Sequence, residues 1–187
     1  MLSTIKELKE IIEKDILPNN SKCILLVGYS VGGYIAALLA SMHPQLDIHG
    51  LLLLAPAIDN YERNFRNIPE SEWYMPVSYV TTLRDKLPSR PSIKASRSKR
   101  IIIVHGLRDN DQGGIAPWRV REYVSELNDN DHTMVMSSVD TKVFLYQPDI
   151  DHSLEPWLSG LTSNQDPGPS SDLNGTLPLK KLIESLL

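Results

Sequence analysis

Apolar positions along this chain change period several times, and each change marks an element. Ile5, Leu8, Ile12 and Ile16 recur at helical spacing, which predicts an opening helix that Pro18 terminates. Thr4 and Glu7 stand three apart, the spacing of a capping box. An unbroken apolar run follows at Cys23–Gly28, the pattern of a strand covered on both faces. The chain then turns at Tyr29-Ser30-Val31-Gly32-Gly33 into a helix that is apolar nearly all round and stops at Pro44, so this helix is predicted to be buried. Further strands are predicted at 48–55, 101–105 and 142–147, and further helices at 116–128 and 177–187. Strands alternating with helices predict an α/β fold with an open, mainly parallel sheet and helices on both faces. Two stretches break this rhythm. Residues 56–99 are rich in aromatics and prolines, and residues 160–176 are a polar cluster of turn formers that reads as a mobile loop.

Length and composition narrow the picture. The 187 residues suit a single domain spanning 1–187. The net charge of -4 offers no basic face for nucleic acid or anionic lipid, so neither is expected as a partner. The local run Arg97, Lys99, Arg100 reads as a solvated entry to a strand. The single cysteine, Cys23, excludes an intramolecular disulfide and reads as a buried strand residue. The N-terminal segment carries both charge signs and lacks a signal-peptide core, and no stretch has the length of a membrane span. The default expectation is a cytoplasmic protein.

The chemistry begins at Gly28-Tyr29-Ser30-Val31-Gly32, a G-x-S-x-G pattern set where a strand becomes a helix. A serine in a tight turn there projects its hydroxyl above the sheet edge. Gly28 and Gly32 are expected to relieve crowding around that turn. The Val31 N–H, at a helix N-terminus, faces developing negative charge. A phosphate-binding turn is the rival reading, but GYSVGG lacks both the dinucleotide-binding glycine spacing and the P-loop lysine. A serine hydroxyl needs a base, and the base needs an orienting acid. In open α/β sheets functional groups gather at the carboxyl ends of strands. Asp109 follows the third predicted strand in His105-Gly106-Leu107-Arg108-Asp109, and His152 follows the fourth in Asp149-Ile150-Asp151-His152.

These motifs, in the order Ser, Asp, His, resemble the α/β-hydrolase superfamily from its nucleophile strand onward. The resemblance implies that sheet type and a triad of Ser30, Asp109 and His152. Asp109 is favoured over Asp111 because it occupies the family's place in H-G-x-x-D. His105 reads as structural, and His43 as a cation favourable at a helix C-terminus. The family's early strands have no counterpart here, so the fold is expected to be truncated at the N-terminus. The family's second oxyanion donor is likewise without a counterpart. The nucleophile strand, residues 23–27, becomes an apolar edge suited to self-association or to pairing with a partner. The segment 56–99 lies where family members carry a lid. Its aromatics either line an acyl pocket with Tyr29, Trp73, Tyr74 and Met75, or pack the lid on the core. The function these readings imply is hydrolysis of a carboxylic ester or thioester through an acyl-enzyme on Ser30, with no metal and no cofactor. The alternatives are a non-catalytic or weakly active binding protein, or a fragment of a longer hydrolase.

Overall fold

The structure, a computed structural model, describes residues 1–19, 23–73, 75–93, 100–109, 115–129, 142–148, 154 and 183. The strands are β1 (Leu25–Tyr29), β2 (Gly50–Leu54), β3 (Arg100–Val104) and β4 (Lys142–Tyr146). The helices are α1 (Leu2–Ile11), α2 (Val31–Met42), α3 (Asn60–Asn64), α4 (Val77–Asp85) and α5 (Pro117–Asp129).

The four strands form one all-parallel sheet in the order β1-β2-β3-β4. Tyr29, Leu54, Val104 and Tyr146 stand in register across it, so all four strands end at one level. Strand alternation divides the core in two. Leu51, Leu53, Ile101 and Ile103 face a large cluster with Ile5, Tyr34, Leu38, Val120 and Leu127 from the helices. Leu52, Leu54, Ile102 and Val104 face the other way, against Leu154 and Ile183. Every residue of β2 is buried, which is why its sequence reads as an unbroken apolar run. In α2, Ala36, Ala37 and Ala40 are buried among larger apolar residues, and their small side chains let the helix lie close on β1 and β2.

Several expectations change in detail. Helix α1 starts at Leu2 with Met1 as its N-cap and no side-chain capping bond, so Thr4 and Glu7 lie inside the first turns rather than forming a capping box. It then widens into a π-helical stretch, Ile12–Ile16, and tightens into a 3-10 turn at Leu17–Asn19. Cys23 is exposed; the strand starts at Leu25, and Ile24 takes the buried place. Pro44 ends α2 but opens a 3-10 turn, Pro44–Leu46. The segment after β2 contributes Phe65, Val80, Leu83, Leu87 and Ile93 to the main core. The expected loop at 160–176, and all of the expected closing helix but Ile183, lie outside the described residues. Among the described residues, no helix is long and apolar enough to cross a membrane.

Candidate active site

Ser30 sits between the last residue of β1 and the first residue of α2. Its backbone is at φ 52 and ψ -117, a region that non-glycine residues rarely adopt and that costs on the order of 1–3 kcal/mol. Backbone hydrogen bonds hold it there. Its N–H donates to Leu54 O at 2.8 Å, and its carbonyl accepts from Tyr34 N–H at 3.2 Å and Ala57 N–H at 3.0 Å. The side chain is half-buried. Val31 opens α2, where first-turn N–H groups have no intrahelical acceptor.

The glycines around this turn divide their work differently from the expectation. A Cβ on Gly28 would lie 2.3 Å from Gly32 O and 2.7 Å from Gly33 Cα, so only glycine fits there. A Cβ on Gly32 would meet nothing within 4 Å. The crowded residue on the helix side is Gly33, whose Cβ would lie 3.0 Å from Gly28 O and 3.1 Å from Pro56 Cβ. The doubled glycine in the sequence was the signal for it.

Asp109 closes a turn after β3, with its N–H donating to Gly106 O at 3.2 Å. Its side chain is buried, and Oδ2 lies 3.4 Å from His105 Nε2. This acid loop is tied to the end of β4. His105 N–H donates to Tyr146 O at 2.9 Å, and Leu107 N–H donates to Pro148 O at 2.8 Å. Pro148 stands four residues before His152 in the chain. His152 and the rival acid Asp111 lie outside the described residues. The structure therefore brings Ser30 and Asp109 to the same carboxyl edge of the sheet, on strands separated by β2. Two strand spacings amount to about 10 Å.

Of the expected pocket residues, Tyr29 ends β1 and is exposed, while Trp73 and Met75 are half-buried against the main core. Trp73 meets Phe65 edge-on at 6.1 Å and donates its Nε1–H to Ile68 O at 2.9 Å. Tyr74 lies outside the described residues. A cavity of about 340 Å³ between the start of α1 and α4 is lined by neither Ser30 nor Asp109.

Sequence reasoning missed an ionic cluster built around buried Asp59 beside this edge. Asp59, in left-handed backbone at φ 53, accepts from Arg90 Nε at 2.9 Å and from Nη2 at 2.7 Å. Arg90 reaches on to Glu122 and Glu126 of α5, and Arg119 approaches Asp59 at 3.4 Å while lying over the Trp118 ring. These partners are some thirty and sixty residues apart in sequence, and no local pattern announces them.

A parallel sheet with a strained serine at the strand-to-helix junction, and an acid after a later strand, defines the α/β-hydrolase class. The comparisons agree. The model of the serine aminopeptidase S33 family matches residues 2–100, more than half of the chain, and the protein belongs to that family. Among solved structures, the fold is similar to Est1E from Butyrivibrio proteoclasticus, at 17% identity and a TM-score of 0.57 over 88% of this chain and 61% of that one. It is also similar to the Francisella virulence factor BioJ, at 16% identity and a TM-score of 0.54 over 97% of this chain and 58% of that one. The Pyrococcus furiosus esterase Pf2001 gives 17% identity and a TM-score of 0.52 over 82% and 55%. This chain thus spans between 55% and 61% of the length of these three proteins. No curated protein matches the sequence.

Proposed function

We propose that this protein is a serine hydrolase of carboxylic esters or thioesters, with Ser30 as nucleophile, His152 as base and Asp109 as the acid that orients it. The observation that carries this reading is the backbone of Ser30 at φ 52 and ψ -117, between crowded Gly28 and Gly33. Strain of this kind persists only where the surroundings enforce it, and it concentrates at functional sites. Ser30 Oγ attacks the carbonyl carbon while His152 takes its proton. The carbonyl π pair moves onto oxygen, and the Val31 N–H stabilises that oxyanion. Collapse expels the alcohol or thiol, which receives the proton from His152 and leaves an acyl-Ser30 ester. Water, deprotonated by His152, attacks that ester; the second tetrahedral adduct collapses, returning the proton to Ser30 and releasing the acid. The burial of Asp109 supports its part, because a carboxylate removed from water interacts strongly with a neighbouring imidazole. The Pyrococcus furiosus esterase among the structural neighbours supports ester chemistry on this fold.

A fluorophosphonate probe tests the reading. The wild-type chain is expected to be labelled and Ser30→Ala to be unlabelled, while Asp109→Asn slows labelling by roughly 10³–10⁴-fold. Folded wild-type protein that takes no label overturns the proposal and favours a hydrolase-like binding protein.

A further inference from the structure

We propose that His105 is a positioning residue for Asp109. This rests on the reading of Asp109 as the triad acid. His105 is the first residue after β3, and its side chain is wholly removed from solvent, as is that of Asp109. Its Nε2 lies 2.7 Å from the carbonyl oxygen of Ile115. A carbonyl only accepts, so the ring carries its proton on Nε2 and donates it there. The same nitrogen lies 3.4 Å from Oδ2 of Asp109. From the start of the acid loop, one imidazole nitrogen therefore meets two later points of it: the acid at 109 and the return at 115, just before α5.

The consequence is directional. The loop has its own turn bond, Asp109 N–H to Gly106 O, but this bond sets the backbone and leaves the carboxylate torsion open. With its proton donated to Ile115 O, the same nitrogen end of the ring still carries partial positive charge and attracts Oδ2 of Asp109 at 3.4 Å. Holding Oδ2 fixes the carboxylate plane and hence the direction of Oδ1. A triad acid works through the direction of its oxygens, because it selects the tautomer and the orientation of the base. Burial sets His105 apart from the base, since no atom of its ring reaches solvent. Its role is to hold the acid, as outer partners do around other buried reactive groups.

The test combines His105→Gln, His105→Leu and Asp109→Asn. Glutamine places an amide N–H near the position of Nε2; leucine fills similar volume without a donor. Labelling rates with a fluorophosphonate, and kcat and KM on p-nitrophenyl acetate, are measured on protein shown to be folded by circular dichroism. H105L is expected to lower the labelling rate and kcat by about tenfold to a hundredfold with KM unchanged. H105Q is expected to stay within roughly threefold of wild type, because it keeps the donor. In an D109N background, H105L should cause no further loss, since the carboxylate it positions is already gone. If H105L does not fold, His105→Asn replaces it, being too short to reach Ile115. Wild-type rates in the donor-less variant, or an equal loss with and without the Asp109 carboxylate, overturn the positioning role alone. An unlabelled wild type overturns the hydrolase reading and this one with it.

Discussion

At the scale of single residues, Gly28 and Gly32 make opposite predictions. Gly28→Ala drives a methyl group into backbone atoms of Gly32 and Gly33, which cannot rotate away. Overpacking of this kind costs about 1–3 kcal/mol or more, so the melting temperature should fall and Ser30 labelling should weaken. Gly32→Ala meets open space inside a helix, where alanine is favoured by about 1 kcal/mol. Its melting temperature should hold or rise. A thermal denaturation pair reads both, and equal destabilisation would contradict the geometry. His43 supplies a second contrast. Burial, reinforced by nearby Lys9, holds its pKa below the usual histidine value, so the charged form suited to a helix C-terminus is disfavoured. The unfolded chain then binds more protons than the folded one just below pH 6.5 or so, and stability falls as pH drops through that window. His43→Gln should flatten that part of a melting-temperature profile measured between pH 5 and 8.

Among elements, the stretch from Pro88 to Pro91 is held by three long side chains. Tyr34 of α2 donates its hydroxyl to Pro88 O at 2.6 Å, and Tyr123 of α5 donates to Pro91 O at 2.6 Å. Burial pushes both phenols above their ordinary pKa, which keeps the donors protonated. Between them Arg90 binds Asp59 and α5. Among the described residues, Arg90→Met would leave the buried Asp59 carboxylate to Arg119 alone. Removing one partner of a buried pair costs about 3 kcal/mol, or roughly 6–12 °C in melting temperature at this chain length. Asp59→Asn should cost less, because Arg90 is more exposed and keeps its two glutamates. Calorimetry giving the reverse order would show that Asp59 is not the desolvated member. None of this was legible beforehand. The strands and α2 were, within a residue or two, because burial on one or both faces writes itself into periodicity. The capping box was misread because Thr4 and Glu7 have suitable identities and spacing, while the preceding turn decides where a helix starts.

For the molecule as a whole, the sheet order places β1 at one margin among the described strands, next to β2 alone. Its Val27 is 51% exposed, an unusual state for a valine in mid-strand. Ile24 O accepts from Gly50 N–H and Ser30 N–H donates to Leu54 O. By the period of two, the backbone groups of Leu25 and Val27 face away from β2. An apolar margin of this kind predicts concentration-dependent association of the isolated chain. Sedimentation velocity over a concentration series would show it, and Val27→Lys should shift the protein toward monomer. A wild type that sediments as a monomer throughout would refute it.

By itself the sequence determined the alternation of apolar runs and helical stripes, hence a parallel α/β sheet. It also determined that a serine between glycines, an acid and a histidine each follow a strand. These are local facts, written in spacing of two and of three to four residues. Only the tertiary structure decided which glycine is indispensable, that Cys23 lies outside the strand, and that Asp59 and Arg90 meet. It also decided that His105 stands against Asp109. Asp59 and Arg90 lie 31 residues apart, and the other outcomes turn on how a tight turn or a strand end is shaped; spacing along the chain sets neither, because such distances exist only once the turns and elements have formed.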